Sequence, residues 1–134
     1  MAEGSLKIGD VAERTGLSIR TLRHYDELGV VTPSDRSPGG FRLYSDADVH
    51  QILLIRRMKP LGFTLEQMRE FLEATDILHG RDNRQGSGPP PQDRDQAEAT
   101  ITSVRSEARS RYETLRKQLD HAREFLDLIN NLEP

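Results

Sequence analysis

An apolar repeat near the C-terminus constrains the fold of this chain more than any other feature of its sequence. Between residues 101 and 129, apolar side chains return every three or four positions, which is the spacing of one face of an α-helix. A helix of about 35 residues is about 50 Å long, so we expect its stripe to exceed what a small domain can cover. The sequence predicts a coiled coil, most simply with a second copy of the chain, through Ile101, Val104, Ala108, Tyr112, Leu115, Leu119, Ala122, Leu126 and Ile129.

Length and composition favour a small, mainly helical protein. The 134 residues suit one compact domain plus an accessory element, and 31% charged with only 5% aromatic residues suits helices with wide solvated faces. The absence of cysteine excludes disulfides and thiolate metal sites. No apolar run is long enough to cross a bilayer and the N-terminus lacks the pattern of a signal peptide, so we expect a cytoplasmic protein with no membrane partner.

Near the N-terminus the sequence predicts two short helices joined by a tight turn. The first runs from about Gly9 to Thr15 and stops at Gly16, since glycine accepts the left-handed conformation that ends many helices. Ser18 then supplies the N-cap of the second helix. The offsets of Ala12, Gly16 and Leu22 are typical of a helix-turn-helix.

The second helix is the candidate recognition element. With Leu22 turned toward the core, its outer face and flanks carry polar and basic side chains, Arg20, Thr21, Arg23, His24 and Glu27. An arginine fork matches guanine edges and phosphate oxygens, and a helix N-terminus attracts phosphate. Taken alone, these residues fit an ordinary solvated helix face equally well.

A short hairpin follows this helix and favours the nucleic-acid interpretation. The segment from Val30 to Pro33 leads into a turn-forming run over 34–40, and Phe41 to Tyr44 then alternates as a strand does. We expect Leu43 to point inward, Arg42 and Tyr44 to share the other face, and Arg36 to lie in the loop. A basic hairpin beside a recognition helix is a wing.

Two further helices and a linker complete the pattern. Ser45 is predicted to cap a helix that ends or kinks before Pro60, and the capping box Thr64 to Gln67 opens another that ends near Ala74. The cluster Arg56, Arg57 and Lys59 suits a helix C-terminus and a nearby phosphate about equally. We therefore predict a DNA-binding head over 1–75, a flexible Gly/Pro-rich linker over 76–96 and a dimerisation helix over 97–134.

Residues 7–73 resemble the MerR family of transcriptional regulators. The matching pieces are Lys7 to Ala12, Thr15 to Arg23, Tyr25 to Gly29, Gly40 to Tyr44 and Leu61 to Thr64. The resemblance implies a winged helix-turn-helix head, a second wing-like helical pair and a long helix that forms an antiparallel coiled coil in a homodimer.

Carried over by position, the resemblance implies a set of DNA contacts. Major-groove and phosphate contacts would come from the recognition helix, and further backbone contacts from the wing. His24 stands where the family often has tyrosine or phenylalanine, and Phe41 where it commonly has tyrosine. The predicted DNA-binding residues are Ser18, Arg20, Thr21, Arg23, His24, Tyr25, Arg36, Phe41, Arg42 and Tyr44.

The resemblance also implies the partners. They are promoter DNA carrying an inverted repeat, which such regulators often bend or untwist, a second copy of the chain, and RNA polymerase at the promoter. No cofactor is expected, since the cysteines of metal-responsive members and the added domain of drug-responsive members are both missing from the sequence. The alternatives are an architectural recombination factor with the same head and an adaptor that uses only the coiled coil.

Catalysis is the weakest of the function classes considered. The four histidines are scattered, and Gly86 to Gly88 lacks the lysine of a phosphate-binding loop. A metal site formed by Asp76, His79 and Asp82 is less favoured than an exposed helix end and linker.

Overall fold

The computed structural model describes residues 5–79 and 91–132, which form a head of helices and short strands followed by one long helix. In the head, α1 is Ile8–Thr15, α2 is Ile19–Glu27, α3 is Asp46–Met58 and α4 is Leu65–Leu78. The strands are β1, Leu6–Lys7, β2, Asp35–Arg36, and β3, Arg42–Tyr44, and a 3₁₀ turn at Lys59–Leu61 separates α3 from α4. The long helix, α5, spans Pro91–Asn130.

The predicted starts of α2, α3 and α4 and the predicted end of α1 are confirmed by their capping groups. The hydroxyls of Ser18, Ser45 and Thr64 each accept a hydrogen bond from the backbone N–H three residues ahead, at 3.0, 3.1 and 3.1 Å. Gly16 ends α1 with φ = 73°, in the left-handed region. These local contacts set the short turn between α1 and α2, and hence the way α2 lies across α1.

The sheet differs from the predicted two-stranded hairpin. β3 lies in the middle and pairs antiparallel with both β1 and β2, so that Leu6 faces Tyr44 and Arg36 faces Arg42. The prediction that residues 30–33 begin the hairpin is wrong. Val30 and its neighbour are buried in the connection after α2, where they fill the core without pairing as a strand.

The core of the head lies between α1 to α4 and the inner side of the sheet. The largest side chains with less than 2% exposure are Val11, Thr15, Leu22, Tyr44, Ile52, Ile55 and Met68. Since α1, α2, α3, α4 and β3 all contribute to this list, the sheet and the recognition helix are fixed to one packed unit.

The course of α5 corrects two predictions. The helix begins at Pro91 rather than at 97, and α4 continues to Leu78 rather than ending near 74, while 80–90 of the predicted linker lie outside the described residues. The sequence also predicted that the stripe exceeds what a small domain can cover. Part of the stripe is covered, because α5 packs along α4, with Ala97 2% exposed and Val104 and Ala108 against the head's core.

The stripe on α5 is therefore divided between two environments. Its first turns are covered by the head, whereas all residues from Tyr112 to Leu132 are exposed. The change falls where two consecutive steps of four, from Val104 to Ala108 and on to Tyr112, interrupt the alternation of three and four. None of the helices in the described ranges is long and apolar enough to span a membrane.

Candidate nucleic-acid interface

The start of α2 is held by a small hydroxyl pair. Ser18 Oγ accepts the backbone N–H of Thr21 and donates to Thr21 Oγ1 at 2.9 Å. Both residues were predicted to contact DNA. The Ser18 hydroxyl both donates to Thr21 and caps the helix, so the pair positions the first turn of α2 at the surface.

Basic side chains lie exposed along the outer face of α2. Arg20, Arg23 and His24 are exposed, and within residues 5–79 and 91–132 none of the three side chains has a hydrogen bond or ion pair. Their donors are available to a ligand without the loss of an internal contact. This is the placement that the sequence predicted for them.

An open cleft of about 690 Å³ separates α2 from the 3₁₀ turn and the start of α4. One wall carries the cationic face of α2 and the other carries apolar side chains of the second helical pair. The lining residues are Arg20, Thr21, Arg23, His24, Tyr25, Glu27, Lys59, Phe63, Leu65 and Met68. Lys59 lies across the cleft from the arginines and adds to its positive charge. The sequence had left this residue open between a helix-terminal role and a phosphate contact.

Tyr25 is placed differently from the other predicted contacts. It is only 3% exposed and belongs to the core, although it borders the cleft beside His24. Burial raises the pKa of its hydroxyl above the usual value for tyrosine. The Tyr25 ring therefore contributes to packing in the core. Its contact with the DNA backbone stays a prediction, which depends on the small part of the side chain that borders the cleft.

The wing is fastened to the recognition helix by one carboxylate. Asp26 Oδ2 accepts a hydrogen bond from Arg42 Nε at 2.6 Å and another from Arg36 Nη2 at 3.1 Å. The Asp26 side chain is 10% exposed and that of Arg42 25% exposed, so this contact is partly shielded from water. The hydrogen bond to Asp26 raises the pKa of Arg42, which keeps the guanidinium charged.

Asp26 is the functional residue that the sequence analysis missed. It joins two arginines that face each other on β2 and β3. The two arginines would repel each other across the strands without it. The sequence signal for such an ion pair is an acidic residue on the flank of the recognition helix followed by two basic residues in the wing.

The predicted orientation of Tyr44 is wrong. Its exposure is 0% and it belongs to the core, so it cannot share an outer face with Arg42 or contact DNA from the wing as the chain stands. Leu6 of β1 pairs with Tyr44, so both side chains lie on one face of the sheet, and Leu6 also packs against the core, so that face is the inner one. Its hydroxyl has no hydrogen-bond partner among the described residues, and burial raises its pKa.

Phe41 forms the exposed tip of the wing. Its side chain is 71% exposed, while its backbone is tied to Ser37 by the N–H to Oγ bond of 3.0 Å and by the bond from Ser37 N to Phe41 O of 2.9 Å. Its contact with DNA stays a prediction.

The metal site considered from the sequence receives no support. Asp76 Oδ1 accepts a hydrogen bond from Gln51 Nε2 at 2.7 Å, and Asp82 lies outside the described residues. In the part of the chain that the structure covers, no group of three histidine or acidic side chains is arranged to hold a metal ion.

Comparisons with known proteins agree on the class of this head. Residues 6–75 match the family model of the MerR HTH family regulatory proteins, so the chain belongs to the MerR family. Its relatives include the nodulation protein NolA of Bradyrhizobium elkanii, 40% identical over 72 residues, which are 54% of this chain and 33% of that protein. The chain spans between about a quarter and a half of the length of the curated relatives it matches.

Solved structures resemble the whole arrangement, including the long helix. The N-terminal part of the Bacillus subtilis multidrug transporter activator, MtaN, is 28% identical with a TM-score of 0.56 over 94% of this chain and 95% of that one. HiNmlR, a MerR family regulator lacking the sensor domain and bound to promoter DNA, is 24% identical with a TM-score of 0.63, covering 94% and 85% of the two chains. At that identity the second likeness shows the fold alone.

Proposed function

We propose that this protein is a sequence-specific DNA-binding transcriptional regulator that acts in the cytoplasm as a homodimer on an inverted-repeat operator. The observation that carries the proposal is the exposed cationic face of α2 beside a wing that Asp26 holds in place. Membership of the MerR family supports the same class. The net charge of −3 fits a protein that binds DNA through one surface rather than through its whole body.

The two parts of the surface suit different tasks. Arg20 and Arg23 project from the first turns of a rigid helix, and their unpaired guanidinium groups are free to bind base edges. Arg36 and Arg42 already share Asp26, so a phosphate has to compete with a carboxylate for them. We therefore assign base preference to α2 and the orientation of the head on the duplex to the wing.

The exposed half of α5 supports self-association. Eight large apolar side chains between residues 112 and 132 are at least 44% exposed, a concentration that a helix in water does not sustain alone. The earlier part of the stripe is covered by the head. We propose that a second copy covers only the later part, and Ile101, Val104 and Ala108 of the predicted dimerisation set are then mainly intramolecular.

The spacing of the free stripe favours an antiparallel pair. In a parallel pair both heads would lie side by side at one end, and the helices would have to splay apart there. In an antiparallel pair, each apolar residue at heptad position a faces one at position d of the other helix. One register satisfies all of them, with Tyr112 opposite Ile129, Leu115 opposite Leu126 and Leu119 opposite Ala122 of the second copy.

A dimer of this kind fixes the separation of its two recognition helices. Operators whose half-sites do not match that separation must bend or untwist, at a cost of about 1 to 6 kcal/mol that the contacts of both heads offset. We propose this distortion, and RNA polymerase at the same promoter, as the route to regulation. The HiNmlR structure, which is bound to promoter DNA, supports the DNA-binding part by likeness of fold.

Selection from a random duplex library at physiological salt, followed by sequencing, tests the proposal. An enriched inverted repeat is the expected result. Arg20→Ala should then lose about 1 to 3 kcal/mol of discrimination at one base pair per half-site, whereas Arg42→Ala should weaken every duplex and flatten the salt dependence. Arg105→Ala removes an exposed arginine from α5 and should change neither.

Two outcomes contradict parts of the proposal. Equal losses on all sequences for Arg20→Ala and Arg42→Ala would refute the division between base reading and positioning. Unchanged function in both variants would favour the adaptor, in which only the coiled coil acts.

A further inference from the structure

We infer that Arg111 sets the angle between the head and the dimerisation helix, and thereby the half-site spacing that the dimer accepts. The inference rests on the proposed homodimer and names a specificity-determining residue that lies outside the DNA-binding surface. Arg111 acts as a positioning residue, since its contacts are with the head and with α5.

Three contacts hold the Arg111 guanidinium in one orientation. Nη1 donates to the carbonyl oxygen of Leu61 at 2.9 Å, and Nη2 donates to Glu107 Oε1 at 2.5 Å. The guanidinium carbon lies 4.5 Å from the centroid of the Phe63 ring. A planar group that is hydrogen-bonded at two edges and stacked on a ring has little rotational freedom, and lysine cannot reproduce this set of contacts.

Arg111 lies at the point where α5 leaves the head. Ala108 is the last apolar residue of α5 that packs against the core, and from Tyr112 onward every described residue is exposed. Within the described residues, Arg111 is the last residue of α5 with a hydrogen bond to the head. The free part of the helix therefore projects from this anchor.

The same contacts reach the DNA-binding cleft. Leu61 closes the 3₁₀ turn and Phe63 forms part of the cleft wall opposite α2. Glu107 also accepts a hydrogen bond from Gln67 Nε2 at 3.2 Å, and Gln67 Oε1 caps α4 through the backbone N–H of Thr64. Arg111 and Glu107 thus join α5 to the turn and to the helix start that border the cleft.

The neighbouring glycine leaves the space that this arrangement needs. Gly62 has φ = 86°, and a Cβ there would lie 3.2 Å from Arg111 Nη1. A side chain at this position would strain the backbone and press on the guanidinium at once. The turn and the arginine are therefore fitted to each other.

A small rotation at this anchor changes the spacing of the dimer by a meaningful amount. Each head turns about Arg111, so its recognition helix moves in proportion to its distance from this residue. At a distance of about 14 Å, near the radius of a domain of this size, a rotation of about 10° moves the recognition helix by about 2 Å, and the two heads by about 4 Å relative to each other. One base pair corresponds to about 3.4 Å along the duplex.

Substitution of Arg111 should widen the range of angles between the head and α5 without unfolding the protein. The apolar contacts of Ala97, Val104 and Ala108 keep α5 on the head, and the exposed stripe from Tyr112 onward forms the dimer. We therefore expect Arg111→Ala to remain folded and dimeric while its heads sample a wider range of positions.

Pulsed electron paramagnetic resonance measures this range directly. Because the chain has no cysteine, Glu13→Cys on the exposed side of α1 places one spin label on each head. The distance distribution between the two labels should be narrow in the otherwise unchanged protein and clearly broader with Arg111→Ala. Lys117→Ala removes a cation from the opposite side of the same helix and should leave the distribution narrow.

A series of spacers measures the functional effect. The duplex recovered by selection is altered by one or two base pairs between its half-sites, and each base pair also rotates them by about 35°. We expect the unchanged protein to lose about tenfold in affinity at one base pair from the optimum, and Arg111→Ala to vary by less than about threefold across the series. Arg111→Lys keeps the charge and should resemble Arg111→Ala.

The outcomes separate this inference from the proposed function. A narrow distance distribution and an unchanged spacer optimum in Arg111→Ala would overturn the role of Arg111 alone. Loss of folding in Arg111→Ala together with wild-type behaviour of Arg111→Lys would overturn it as well. An unchanged protein that is monomeric or selects no inverted repeat would overturn the homodimer proposal, and this inference with it.

Discussion

Replacing Asp26 by asparagine tests the joint between wing and recognition helix. Asparagine keeps the size of the side chain and one oxygen acceptor but removes the charge that Arg36 and Arg42 share. A hydrogen bond between charged groups contributes about 1.5 to 3 kcal/mol to folding. Because Arg42 is 25% exposed and Arg36 49% exposed, solvent weakens both pairs. We expect Asp26→Asn to lower the free energy of unfolding by about 1 to 2 kcal/mol.

The same substitution should strengthen binding to duplexes of unrelated sequence. The two arginines no longer have a carboxylate to satisfy, so phosphates meet less competition for them. Each new phosphate contact steepens the plot of log K against log salt concentration by about 0.9. Asp26→Asn should therefore be less stable and yet bind DNA more tightly at low salt, with poorer discrimination between sequences.

Thermal unfolding and a salt titration of binding to a random duplex measure the two effects. A loss of 1 to 2 kcal/mol corresponds to a fall in Tm of about 5 to 10 °C for a head of this size. Glu27→Gln is the matched control, because it removes the next carboxylate on the cleft side without a hydrogen bond to either arginine. If Asp26→Asn equals Glu27→Gln in both Tm and salt slope, the joint contributes nothing and the reasoning fails.

Two further predictions concern the core and the dimer. Tyr44→Phe should leave stability at pH 7 equal or higher, because the hydroxyl it removes is buried without a partner among the described residues. Burial raises the pKa of Tyr44, so the folded state loses stability as the pH rises through that raised pKa. We therefore expect Tyr44→Phe to resist denaturation at alkaline pH better than the unchanged protein. Equal alkaline unfolding of the two would contradict the burial of the Tyr44 hydroxyl. Leu119→Asp should give monomers in analytical ultracentrifugation, because Leu119 is 60% exposed in one chain and the register places it in both central layers. Lys117→Asp, on the opposite side of α5, should stay dimeric, and a dimeric Leu119→Asp would show that the interface lies elsewhere.

Local chemistry explains what could be predicted from the sequence. The caps at Ser18, Ser45 and Thr64 and the turn at Gly16 depend on side chains within three or four residues of one another, so the sequence contains the whole interaction. The exposure of the cationic face of α2 followed from the position of one buried leucine on a helix.

Longer-range contacts explain what could not be predicted. Tyr44 faces inward because β1 pairs with β3, and the two residues of β1 are too short to show a strand pattern. The joint at Asp26 links residues 10 and 16 positions apart in sequence, where neither partner signals the other. The cover that α4 provides for α5 likewise depends on tertiary packing that periodicity alone does not show.

The division of the α5 stripe also determines where the chain can be cut into fragments that keep the head intact. Ala97, Val104 and Ala108 complete the surface of the head, so a fragment that ended after α4 would lose the cover of that side and expose it to water. The smallest fragment that keeps the head intact extends to about Arg111, well beyond the end of the family match at residue 75. In the proposed dimer, dimerisation specificity can therefore be exchanged with another protein only through the segment after Arg111, where the helix no longer contacts the head.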